Sequence, residues 1–278
     1  MSTQNALLTI LVEKINNDTL VLPTLPAVAL KVRKAADDPN VNLNAMGDVV
    51  GKDPSLSMRM IKIANSAYLG RTVKVTSIGQ AVTRIGLRQI KNISTALAME
   101  QLFVSKNDVV GNYMKREWGT TINVVAYSMA ALQLYVNRTK KRELSLDTMT
   151  LAALVHNIGV LPILTEAERH EEVFANPTFL EVAIDKLSGR IGGSIMRAWG
   201  FDEEFTIVAE NWRDLSVLPD NLSYVDFVRI GAALAGKMDS QKDAVLNLAI
   251  QRGALEEVSE LTTDEFKEMC ASAKQVFA

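Results

Sequence analysis

Helix punctuation recurs along this chain at intervals that suit a packed set of helices. Asn42 precedes an apolar run that ends near Val50. Asp53-Pro54 supplies a side-chain acceptor at an N-cap and, at the first helical position, a residue with no backbone donor to leave unpaired. Ser77 with Gln80, and Thr262 with Glu265, have the spacing of capping pairs. Between these signals the apolar residues fall at helical intervals: Ala6, Leu7, Ile10, Leu11 and Ile15, then Leu56, Met60, Ile61 and Ile63, then Ala81, Val82 and Ile85. The pattern predicts helices over 3–16, Pro26–Ala36, Asn42–Val50, 54–65, Ser77–Gly86 and Leu87–Phe103. Beyond these it predicts 109–138, 147–156, 177–187, 189–199, 203–211, 222–238, 241–251 and a last helix after Thr262. Thr72–Thr76 is a short β-branched run and reads as an extended connector. The fold class is therefore all-α.

Composition fits this reading. Hydrophobic residues make up 48% of the 278 but aromatics only 6%, so Leu, Ile, Val, Ala and eleven Met must fill the core, as helix packing allows. The apolar stretch Leu151–Leu164 is interrupted by His156, Asn157 and Pro162 and reads as too short to span a bilayer, so no membrane partner is expected. The N-terminus lacks the basic and small-residue signature of a signal peptide, and Cys270 is the only cysteine. Both point to a cytoplasmic location. Charge is uneven: residues 1–103 hold twelve Lys/Arg against seven Asp/Glu, and 104–278 hold eighteen against twenty-five.

Four segments together resemble the HDOD family, a bacterial signalling branch related to the HD phosphohydrolases. They are Leu22-Pro23-Thr24-Leu25-Pro26 with the turn Asp38-Pro39-Asn40; Val50–Leu56 with Ile63–Tyr68; Ser77–Leu87; and Leu154-Val155-His156-Asn157-Ile158-Gly159. The resemblance runs from about residue 20 to 236. It implies an N-terminal helical lobe, 1–103, packed on an HD-like helical lobe, 104–278.

The resemblance also shows what is missing. An HD hydrolase needs imidazoles and carboxylates converging on one or two metals, which activate water and polarise a phosphoryl oxygen. Here the His-Asp pair is His156-Asn157, and an amide is a neutral, weaker ligand. Trp118–Asn123 and Leu187–Gly192 contain no histidine, the His-His pair of the family is replaced by Asn211-Trp212, and Gly231–Gly236 has no carboxylate. His170, the other histidine, lies in a charged stretch. We therefore expect a remnant pocket of His156, Asn157, Asn211 and Trp212, no metal, no cofactor and no catalysis. His156 is expected to be buried near a helix end and hydrogen-bonded to backbone or to Asn157. No nucleophile elbow, phosphate loop or dinucleotide fingerprint is present, and Gly192-Gly193 reads as close helix packing.

One positive feature remains. From Pro54 through Met99 there is no Asp or Glu, yet Arg59, Lys62, Arg71, Lys74, Arg84, Arg88 and Lys91 are there. If the helix continues through Gly86, Arg84, Arg88 and Lys91 share a face, and any acids paired with them are expected from the other lobe or another molecule. We expect Arg59, Lys62, Arg84, Arg88 and Lys91 to form a docking face. An acidic protein is the favoured partner, a nucleotide or other small ligand the second, and nucleic acid the last. The leading function is thus a non-catalytic regulator. The alternatives are a phosphohydrolase with an atypical site and a nucleic-acid-binding module.

Overall fold

The cap signals do form helix starts in the computed structural model, which describes residues 3–66, 73–169, 177–275 and 277. The helices are α1 (Thr3–Asn16), α2 (Ala27–Ala36), α3 (Leu43–Gly51), α4 (Pro54–Ala64), α5 (Ile78–Ile85), α6 (Leu87–Ala98) and α7 (Asp108–Thr139). They continue as α8 (Leu146–Val155), α9 (Val160–Ala167), α10 (Pro177–Ala198), α11 (Glu203–Asn211), α12 (Tyr224–Leu234), α13 (Lys242–Gln251) and α14 (Asp264–Gln275). No strand occurs among the described residues. Tyr68, Arg71, Thr72 and His170 lie outside them, as do the side chains of Ala6 and Leu7. Asn42 and Asp53 cap α3 and α4 by accepting from Ala45 N and Leu56 N, both at 2.9 Å. Ser77 accepts from Gln80 N, but Gln80 Oε1 reaches back to Thr76 N, one residue earlier than a capping box. The cap of α14 is Thr263, which accepts from Phe266 N at 3.2 Å, rather than Thr262.

Two expected boundaries change for physical reasons. α10 is one helix of 22 residues where two were expected. Gly189 does not break it, because it sits where a side chain would strike the backbone of Glu210 on α11. Gly192 likewise comes within contact of Ala209 O, 3.1 Å from where a Cβ would stand, so close packing explains that glycine. α9 adds a helix to those expected from the sequence. Pro162 falls in its first turn, where a missing donor costs nothing.

Two cores result. Val32, Met46, Val50, Met60, Val82 and Ile90 centre the first, built by α2–α6. The second surrounds the 32-residue α7, against which α8, α12 and α14 pack. α6 touches both, lying on α2 and α8, and Asn92 Nδ2 crosses to Asp147 Oδ2 at 3.1 Å. The expected first lobe, 1–103, loses its opening helix: α1 packs on α9 and α10, Leu11 joins the second core, and Lys14 pairs with Glu166 at 2.6 Å. The Leu22–Pro26 segment then runs across the second lobe toward α2, with Leu22 and Leu25 against the second core. Trp199 Nε1 donates to Pro23 O at 2.9 Å, and the Arg33 guanidinium lies 4.0 Å over the Phe201 ring.

The run Leu146–Ala167 is, at 22 residues, long and apolar enough to cross a membrane, contrary to the length argument made from sequence. Its burial settles its role: α8 and α9 are central core, with 94% of the most apolar window inside the protein.

Candidate functional site

The turn after α8 brings His156 and Asn157 into the centre of the second lobe, where both are buried. The His156 ring meets Trp212 edge to face, with centroids 4.9 Å apart, and its Nδ1 sits 2.5 Å from Ala153 O. That carbonyl can only accept, so Nδ1 carries the proton and Nε2 presents a lone pair, which has no partner among the described residues. Burial, more than any other cause, pushes the imidazole down to about 3. It is neutral at any physiological pH.

Asn157 points toward α7. Its Nδ2 donates to Glu117 Oε2 at 2.9 Å, while its buried Oδ1 has no partner among the described residues. Glu117 is itself buried and takes the Lys237 ammonium on both oxygens, at 2.6 and 2.8 Å. Lys237 follows α12, so α7, α8 and α12 meet at one amide–carboxylate–ammonium chain. Beside it the Arg213 guanidinium lies 3.9 Å over Trp212. The loop carrying Trp212 is held by Arg229, fully buried, which donates to the carbonyls of Asn211, Trp212, Asp214 and Val217.

This donor set does not fit a divalent metal. A dication would have to displace the Lys237 ammonium from Glu117, and the remaining donors are one amide and one imidazole nitrogen. Among the described residues no three His, Cys, Asp or Glu side chains converge as metal ligands. Cys270 adds nothing, since its thiol is buried and pushed up to about 11 by that burial.

Of the expected pocket, His156, Asn157 and Trp212 meet. Asn211 contributes its backbone carbonyl, to Arg229. Glu117 and Lys237, the most polar members, were not expected. A signal for Glu117 does exist: it sits in the buried stripe Val110, Met114, Glu117, Thr121, Val124 of α7, where an acid needs a partner.

The expected basic face is corrected more heavily. Gly86, at φ +90°, ends α5 and begins α6, so Arg84 does not share a helix face with Arg88 and Lys91. Arg84 instead ties down its own lobe, donating to Ala64 O at 2.9 Å and Val73 O at 2.5 Å. Arg59 pairs with Glu100 and Lys91 with Asp37, both at 2.6 Å, so their acids come from residues 1–103 rather than from the second lobe. Lys62 and Arg88 are exposed.

Comparison with known proteins agrees with this architecture. The HDOD domain model matches residues 22–214. A Shewanella amazonensis structure, provisionally named a metal-dependent phosphohydrolase, is 40% identical, with full coverage of both chains and a TM-score of 0.94. An HDOD domain protein of unknown function from Geobacter sulfurreducens is 19% identical, covering 99% of this chain and 98% of that one at a TM-score of 0.64. A Treponema pallidum protein described only as uncharacterized is 23% identical over 193 residues, which span 66% of this chain and 36% of that protein.

Proposed function

The chain belongs to the HDOD domain family, and we propose that it is a non-catalytic cytoplasmic regulator that transmits a signal by binding a partner. One observation carries the reading: the Lys237 ammonium, 2.6 and 2.8 Å from the two Glu117 oxygens, supplies the positive charge that a metal would bring to this carboxylate. An ammonium has no vacant coordination position, so it neither lowers the pKa of a water nor polarises a phosphoryl group as a Lewis acid does. Elemental analysis after purification with Mn²⁺ tests this. Less than a tenth of an equivalent of bound metal is expected, and about one equivalent would overturn the reading.

The partner we favour is an acidic protein docking on the first lobe. Lys31, Lys34 and Arg88 are exposed there, and the Arg59 and Lys91 side chains stay partly exposed even within ion pairs. Contacts of this kind act on encounter rate and weaken with salt. The alternative reading, a phosphohydrolase, draws on the name of the 40%-identical Shewanella protein.

A further inference from the structure

A cavity of about 390 Å³ adjoins the remnant site, lined from α7, α10 and the loop after α12, and its size lies in the range of small-molecule sites. The Glu117–Lys237 pair forms part of its lining, and Val109 and Leu180 make it partly apolar. Tyr113 lines it as well. Burial first, then the nearby Glu117 and Glu181 carboxylates, push its phenol up to about 12, so it stays a neutral hydroxyl.

The remaining charges decide what would fit. Glu117 and Lys237 neutralise each other. Arg116 and Glu181 line the same cavity, are exposed, and make no ion pair among the described residues, although the Arg116 guanidinium lies 5.2 Å over the Tyr113 ring. A simple anion would gain Arg116 but face Glu181, and a simple cation would meet the reverse. A ligand bearing one charge of each sign satisfies both.

We propose that this cavity binds a small zwitterion of amino-acid size, with its carboxylate on Arg116, its ammonium on Glu181 and its apolar part against Val109 and Leu180. Such a site would give the regulator a chemical input. It goes beyond the proposed function and holds whether or not the chain is a catalyst.

Calorimetric titration with the common free amino acids, run in the presence of a chelator, tests it. At least one should bind with a Kd of about 1 mM or tighter. Its deaminated and decarboxylated analogues should each bind at least about tenfold more weakly, as should the amino acid itself to Arg116→Ala and to Glu181→Ala. Both side chains are exposed, so the variants should melt as the wild type does. The proposal fails if no amino acid binds, if the singly charged analogues bind equally well, or if either variant binds undiminished. It fails equally if inorganic phosphate binds more tightly than every amino acid, which would make the cavity an anion site. Metal-dependent turnover, which would sink the regulatory reading, leaves this result untouched.

Discussion

Replacing Lys237 with Met keeps the aliphatic stem and removes only the ammonium, leaving Glu117 without its counter-charge. At a separation of about 2.7 Å and an effective dielectric near 20, the pair's gross attraction is about 6 kcal/mol, most of it offset by desolvation. What counts is the penalty of stranding one charge. Breaking a buried pair costs about 3–5 kcal/mol. The two side chains retain 22% and 10% of their exposure, so the loss should be about 2–4 kcal/mol. For a chain of 278 residues that lowers the melting temperature by about 3–7 °C. The double variant Lys237→Met/Glu117→Gln removes both charges while the new amide can still accept from Asn157. It should stay within about 1 kcal/mol of the wild type. Chemical denaturation of the wild type, both single variants and the double variant gives the coupling energy directly. Additive losses, with the double variant at least as unstable as the two singles together, would refute the claim that these groups balance each other.

Three other outcomes follow from the geometry. His156 is held neutral, at about 3 against an ordinary 6.5, mainly by burial. The unfolded chain therefore takes up a proton that the fold refuses: this contribution is complete above about pH 6.5 and is lost as pH falls toward 3, at about 1.4 kcal/mol per pH unit. His156→Gln should flatten that limb, and parallel wild-type and variant curves of denaturation against pH would count against the assignment. Arg84→Ala, which frees the carbonyls of Ala64 and Val73, should cost about 1–2 kcal/mol, whereas Arg88→Ala should stay within about 0.5 by the same denaturation assay. In thermal melts, Gly159→Ala should destabilise by about 3 kcal/mol or more, because its Cβ would collide with the backbone of Ser188 and Gly192. Gly119→Ala, facing open space in α7, should be neutral or gain about 0.5–1 kcal/mol.

The all-helical class and most helix starts were legible because caps and apolar spacing are local signals, and Asn42, Asp53 and Ser77 each cap as read. The misreadings came from residues whose local and tertiary meanings differ. Gly189 is a breaker by propensity but a packing surface against α11, and Pro162 is harmless because it falls in a first turn. The placement of α1 depends on which core takes Leu11, and nothing local encodes that choice. At the site, His156, Asn157 and Trp212 could be named from their motif positions. Glu117 and Lys237 lie 120 residues apart and reveal themselves only when α7 and α12 are packed together. The basic stretch Pro54–Met99 has its acids in the same lobe but outside the stretch: Glu100 follows it directly, and Asp37, at the end of α2, reaches Lys91 only through the fold.

The most direct test of the regulatory account is multiple-turnover hydrolysis by the purified chain. The assay should cover simple phosphoesters and cyclic dinucleotides with saturating Mg²⁺ or Mn²⁺, alongside Asn157→Ala. The account predicts rates indistinguishable from the metal-containing buffer alone and no difference between wild type and variant. Turnover by the wild type that disappears in Asn157→Ala would contradict it.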